Sequence, residues 1–479
     1  MYERESMATV PSGPSNTFRA IQTFQSRDER GGDIKHNGLP SKSPEDATKQ
    51  LWRQSPGWSD KNGDGLYDVT YEFRTPPKSE HKQQFNKTGF TDVLENQRHQ
   101  TRLGLQSIED VANVKFTESA KTANSEGHIT IGNYAQKIDT KGHPYNGNPH
   151  AVLPKPNDAR SGDVWFVNKD GDKSVANAAL GNAGRYTIVH ELGHAMGLAH
   201  PGDYNGSMKK TQVSHHEDSQ SHSIMSYRGE RTSYMNHGGW RASAPMLDDI
   251  SAYQDKYGAN HATRKDDTTY GFNSNTDRDF LSVKSGRDKM VAAIWDGGGN
   301  DTLDFSGYTQ DQKISLKDGS FSDVGGLKGN VGIAYNAIIE NAIGGAGNDL
   351  LVGNEVANQL KGGDGNDRLY GAGGADMLWG GKGKDEFVYG KLSESTQAEP
   401  DRIMDFVSGE DKVDVSGIRV SLGKGQLTFV DAFSGISGEV VLAYNPVLKI
   451  STLEISGAPG EPNFVLHVEG QMQRSDIVS

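Results

Sequence analysis

The 479-residue chain contains no cysteine. That excludes disulfides and thiolate ligands, so any metal it holds is bound through nitrogen and oxygen. A reducing compartment and an extracellular chain stabilised by metal instead of disulfides both fit the absence. No apolar run approaches the roughly 18 residues of a membrane-spanning helix. Met1-Tyr2-Glu3-Arg4-Glu5-Ser6 has no apolar core, so no ordinary signal peptide is expected and any export address lies elsewhere. Basic residues are in deficit: 50 Lys+Arg against 63 Asp+Glu leave a formal net charge of -13. That argues against nucleic acid as a partner and in favour of cations. Hydrophobic residues make up 33% of the chain. At this length they still suffice for two cores.

What is abundant is glycine, 59 residues, and what is concentrated is histidine. The stretch His190-Glu191-Leu192-Gly193-His194-Ala195-Met196-Gly197-Leu198-Ala199-His200 has the spacing H-E-x-x-H-x-x-G-x-x-H. On a helix His190 and His194 project from one face, as a tetrahedral Zn²⁺ requires of two nitrogen ligands. Glu191 is placed to act as general base without being a ligand. Gly197 lets the chain leave the helix, and His200 closes the site from outside it. The alternative is an amphipathic helix with surface histidines. Requiring the later Gly and His cuts the chance of an accidental match about a thousandfold.

The extended motif resembles the metzincin clan of zinc endopeptidases. Ser223-Ile224-Met225-Ser226-Tyr227 is similar to the clan's Met-turn, with Met225 as the apolar floor of the site. The resemblance implies that Tyr227 is an additional zinc ligand that swings away and assists catalysis; the alternative is a half-buried aromatic in a turn. His200-Pro201-Gly202-Asp203-Tyr204-Asn205 resembles the serralysins, secreted bacterial members of the clan. Ala244-Pro245-Met246-Leu247-Asp248-Asp249-Ile250 through Tyr257-Gly258-Ala259-Asn260 is similar to the segment that ends their catalytic domain.

A second pattern is a nine-residue repeat, G-G-x-G-x-D-x-U-x with U apolar. It begins at Gly344 and recurs in register at 353, 362, 371 and 380. Thirteen of the 42 residues from 344 to 385 are glycine, at periodic positions, which excludes a random linker. The expected structure is a parallel β-roll in which turns 18 residues apart stack. Carbonyls of Gly345, Gly347, Gly362, Gly363, Gly365, Gly374, Gly381 and Gly383 would join the side chains of Asp349, Asn358, Asp367, Asp376 and Asp385. Oxygen-only cages of this kind select Ca²⁺.

The repeat resembles the RTX signature that serralysins carry after the protease domain. By that resemblance Arg264, Asp266, Thr268, Asp296, Gly298, Gly299 and Asp301 bind a further calcium, and Glu340, Glu394 and Asp401 are acidic ligands around the roll. Asp266 stands where the family usually has glycine; a backbone carbonyl ligand survives that change. The ending Asp476-Ile477-Val478-Ser479 resembles an uncleaved C-terminal secretion signal with one serine appended. The resemblance implies one catalytic Zn²⁺, several structural Ca²⁺, and a secreted, monomeric zymogen. Its partners would be protein substrates, an ATP-driven secretion channel and a proteinaceous protease inhibitor.

The expected fold is an α+β metzincin catalytic domain followed by an all-β calcium-binding parallel β-roll or β-sandwich domain. The boundaries are 1–16 for a flexible leader or propeptide, 17–258 for the protease and 259–479 for the roll. Residues about 90–110 read as a helix, and Val114-Lys115-Phe116 and Ile129-Thr130-Ile131 as strands. A strand near Ala151-Val152-Leu153 is either a substrate-pairing edge or an ordinary one. Asp60-Lys61-Asn62-Gly63-Asp64-Gly65 is either half of a calcium loop or a polar turn. Two alternatives stay open: a calcium-binding adhesin with a vestigial zinc motif, and a metzincin that processes one partner.

Overall fold

The computed structural model describes residues 13–76, 86–141, 143–168, 173–209 and 212–479. Residues 1–12 of the expected leader lie outside the described residues. The first half is built on strands β1 (Tyr67–Phe73), β2 (Val114–Glu118), β3 (Gly127–Tyr134), β4 (His150–Ala151) and β5 (Asp163–Val167). They form one sheet in the order β2-β1-β3-β5-β4. All neighbours are parallel except β4, which runs antiparallel to β5 at the edge. β-Branched and aromatic residues make up at least half of β1, β3 and β5, and β5 is buried along its whole length.

The long helix begins later than the expected 90–110. It spans Glu95–Glu109 because Gln97 caps it by accepting the Leu94 N–H at 2.9 Å, while Thr91 bridges to Asn133 instead. It packs on the helix Ala183–Met196, which lies against β4 and β5. That second helix carries the histidine motif. A third helix, Leu247–Tyr257, supports the turn beneath it.

Beyond residue 259 the regular structure is mostly short strands joined by turns, with one short helix at Ser416–Ser421. Asn341–Ile343, Gln359–Asp364 and Met377–Lys382 form one parallel ladder. Leu350–Val352, Arg368–Tyr370 and Glu386–Val388 form a second. Partners within each ladder are 18 residues apart, as in Leu360↔Leu378 and Leu351↔Leu369. Leu351, Leu360, Leu369, Leu378 and Phe387 are fully buried between the ladders. Gly363 and Gly381 stack with positive φ of 116° and 99°, and a side chain on either would overlap a carbonyl of the turn below. Antiparallel strands Glu439–Asn445, Ile450–Ile455 and Phe464–Glu469 extend the first ladder. Ile477–Val478 closes the second by pairing with Lys412–Asp414.

The expected protease segment, 17–258, opens on a helix that packs against the C-terminal half. The helix Asn16–Gln25 lies on the outer face of the second ladder, with Phe18, Ile21 and Phe24 against Leu350, Val352, Tyr370 and Val388. Those ladder residues flank the inward-pointing Leu351, Leu369 and Phe387, so alternation turns them outward and leaves an apolar strip to cover. The segment then crosses to the first half. Arg27 pairs with Asp323 at 3.0 Å, and Arg30 holds Asp248 of the third helix at 2.7 and 3.3 Å. Among the described residues no helix is long and apolar enough to cross a membrane.

Candidate active site

The motif helix starts at Asn182, whose side chain accepts the Arg185 N–H at 3.0 Å. It ends at Gly197, held at φ 111°, and the Leu198 N–H closes the turn on the Gly193 carbonyl at 2.9 Å. The reversal brings His200 back over the helix. The three imidazoles meet: their ligand nitrogens lie within 4.8 Å of one another. His194 Nε2 is 3.1 Å and His190 Nε2 3.4 Å from His200 Nε2.

Each ring is oriented by its other nitrogen. Nδ1 of His190 bonds the Ile224 carbonyl at 2.8 Å, that of His194 the Leu198 carbonyl at 2.7 Å, and that of His200 the Tyr204 carbonyl at 2.8 Å. With Nδ1 donating, all three Nε2 lone pairs face one point, and the site has the chemistry to hold a divalent cation in a tetrahedral N₃ set. Burial pushes His190 down to about 4 and His200 to about 3, with His194 also lowered, so the rings are neutral as ligands must be.

Glu191 is buried beside them. The Ala151 N–H of edge strand β4 faces its carboxylate, and Oε2 is buried without a partner. Burial pushes the group up to about 8. An unpartnered buried oxygen next to three converging imidazoles fits a site completed by a metal and a water. Tyr227 stacks over the cluster, its ring 4.4 Å from His200 and 5.7 Å from His190, and shares the cleft lining with Gly206. Met225 is fully buried, with its sulfur where a side chain on Gly193 would stand. Glu191, His194, His200 and Tyr227 line a cleft of about 780 Å³ whose wall includes His150, Ala151 and Leu153, so the expected edge strand borders the site.

Several positioning residues escaped the sequence reading. Asp249 accepts from the Ser223 hydroxyl at 2.6 Å and from the Ile224 and Met246 N–H groups at 2.7 and 2.9 Å. It therefore fixes the turn whose carbonyl orients His190. Tyr204 and Asp218 join the site from the following loop. The D-D pair at 248–249 was a visible signal; Asp218 left none.

In the C-terminal half the expected ligands fall into groups. Thr268 N–H donates to Asp301 at 2.7 Å and its hydroxyl to the Asp266 carbonyl at 2.7 Å. The Asp301 N–H donates to Glu340 at 2.7 Å. Asp296 accepts from Gly298 N–H at 2.6 Å, Gly299 lies against the Asp266 carbonyl, and Arg264 turns there with φ 48°. In the ladder, Asp349, Asp367 and Asp385 are linked through successive N–H donations at 2.7 and 2.8 Å. Gly345 and Gly347 pack against Gly363 and Gly365, which pack against Gly381 and Gly383. On the other side Asn358, Asp376 and Asp401 form a second linked column, flanked by Gly374, with Glu394 beside it. Oδ2 of Asp301, Asp367, Asp376, Asp385 and Asp401 is buried without a partner. Gly362 lies against the Asp367 carboxylate. Asp349 and Asn358 differ: the first is closed by Gln312 and Gly345 N–H groups, the second by Asn354. Asp405 and Asp411 extend the first column by accepting from Gly380, Gly381 and Asp385 N–H groups, and the repeat register missed them. The Asp60–Gly65 loop uses its carboxylates internally, Asp60 accepting from Gly63 and Gly65 at 2.6 and 2.9 Å, which is the pattern of a polar turn.

Residues 259–479 match the family model described as Peptidase M10 serralysin C terminal, and residues 69–224 match Matrixin. The chain is 46% identical over 488 residues to a metallopeptidase AprA of Pseudomonas marginalis, covering 100% of both. It is 45% identical over 482 residues to a metalloprotease AprA of Pseudomonas entomophila, covering 98% of this chain and 97% of the relative. A Serralysin C of Dickeya chrysanthemi is 45% identical over 476 residues, with 98% and 96% covered. A complete H-E-x-x-H-x-x-G-x-x-H site on its helix, joined to full-length likeness of this kind, places the chain in the serralysin family of metalloendopeptidases.

Proposed function

We propose that the chain is a secreted endopeptidase with one zinc at His190, His194 and His200, whose C-terminal half is a parallel β-roll stabilised by several calcium ions. The observation that carries the zinc reading is the convergence of three Nε2 atoms, each ring locked through Nδ1, beside the free buried oxygen of Glu191. Zinc bound there supplies a Lewis acid that activates water and polarises the scissile carbonyl. Glu191 takes the proton of the attacking water and delivers it to the leaving nitrogen; burial raises its basicity for that exchange. Edge strand β4 offers backbone groups to an extended substrate. Tyr227, released from its resting contact, donates a hydrogen bond to the developing oxyanion.

Calcium is supported by the two aspartate columns and their unpartnered Oδ2 atoms, which cations would satisfy. Export before folding is supported by the same columns: where calcium is scarce the carboxylates repel and the roll is destabilised. Digestion of casein by protein of measured metal content tests the zinc reading. One zinc per chain is expected, with activity lost on chelation and restored by zinc. Proteolysis by zinc-free protein would overturn it.

A further inference from the structure

We infer that Tyr204, braced by Asp218, is a positioning residue that holds Tyr227 and His200 in register. Any residue at 204 would supply the backbone carbonyl that orients His200, so the side chain needs its own explanation. Its ring lies 5.2 Å from His200 at 25° and 4.9 Å from Tyr227 at 33°, so it touches both. Its hydroxyl donates to Asp218 Oδ1 at 2.7 Å and accepts the Tyr227 N–H at 3.3 Å. The same Asp218 oxygen accepts the Ser226 hydroxyl at 2.7 Å, so one carboxylate grips Tyr204 and the residue before Tyr227.

Asp218 is fully buried and its Oδ2 has no partner; the Arg228 guanidinium bonds its backbone carbonyl, at 3.1 Å, and not its carboxylate. Retaining such a group costs stability that an apolar residue would not. Its placement is explained if the hydrogen-bonded chain 218–204–227 sets the position from which Tyr227 departs and to which it returns.

This inference rests on the oxyanion role of Tyr227, and a double-mutant cycle of Tyr204→Phe and Tyr227→Phe separates the two. Tyr204→Phe removes one hydroxyl and keeps the ring and the carbonyl to His200. The expected result is unchanged zinc content, kcat lowered about tenfold, KM within about twofold, and no further loss when Tyr227→Phe is already present. An equal loss in both backgrounds, or wild-type kcat in Tyr204→Phe, would overturn the inference. Full activity of Tyr227→Phe alone would overturn the oxyanion reading first. Asp218→Asn weakens the chain from its other end and is read in the same cycle if Tyr204→Phe does not fold. In copper-substituted protein the tyrosinate-to-copper absorption is expected to shift in Tyr204→Phe; an unchanged band would count against the inference.

Discussion

At the scale of single residues the site is a set of rings and carboxylates aimed by backbone groups. The histidines and Glu191 were legible because i,i+4 spacing on one helix is a local property. The residues that aim them were not. Ile224, Tyr204 and Ala151 act through carbonyls or N–H groups that any residue carries, and they arrive from loops and an edge strand distant in sequence. Asp249 illustrates the consequence. Replacing it by alanine removes three acceptor contacts under the Met-turn and loosens the carbonyl that orients His190. Asp249→Ala is expected to weaken zinc binding roughly 10- to 100-fold in competition with a chelator. Unchanged affinity would mean that the turn is held by packing alone. Gly197 is equally exposed to change: alanine there must adopt φ 111° and meet Trp52 Cζ3 at 2.5 Å and Gly57 Cα at 3.1 Å. The strain and the contact together are expected to cost about 2 kcal/mol in denaturant unfolding.

At the scale of elements the catalytic sheet, the motif helix and the repeat ladders follow patterns that the chain displays openly. The period of 18 reappears as the register Leu360↔Leu378. What periodicity could not supply is where the pattern stops. After Val388 the chain inserts a short 3₁₀ turn at Leu392–Glu394 before the next ladder strand, so the carboxylates that continue the two columns fall at 401, 405 and 411, out of step with 376 and 385. The helix Asn16–Gln25 is a second such case. Its stripe of Phe18, Ile21 and Phe24 is visible in sequence, but its partner is a strip of outward ladder residues more than 300 positions away. Phe24 is 5% exposed in that strip. Phe24→Ala is expected to destabilise the C-terminal half by about 3 kcal/mol, measured by denaturant unfolding, with little change in kcat. A loss of activity without a loss of stability would assign the helix a role in the cleft instead.

At the scale of the molecule the two halves share one buried apolar cluster and are stapled by the segment containing Arg27 and Arg30. The aspartate columns then couple solution conditions to the whole fold. Without calcium, burial and neighbouring aspartates push Asp367 up to about 8, and burial with Asp411 and Asp405 nearby pushes Asp385 to about 6. Both folded values lie above those of the unfolded chain. The calcium-free fold is therefore least penalised below the ordinary carboxylate range and loses stability as pH rises through about 6 to 8. Its Tm is expected to fall between about pH 5 and pH 8, and added calcium to raise Tm most at the upper end. A calcium-free Tm that climbs over this range would remove the columns as the cause.

The assignment of chemistry to the three-histidine cleft stands on Glu191. Glu191→Gln preserves size and burial but cannot accept the proton. Cleavage of casein by wild-type and Glu191→Gln protein, each carrying one zinc and saturated with calcium, is the deciding comparison. The substituted protein is expected to keep its zinc and its Tm within a few degrees while losing at least about a thousandfold in kcat/KM. Activity near wild type at equal zinc content would contradict the assignment of Glu191 as the base of a zinc endopeptidase.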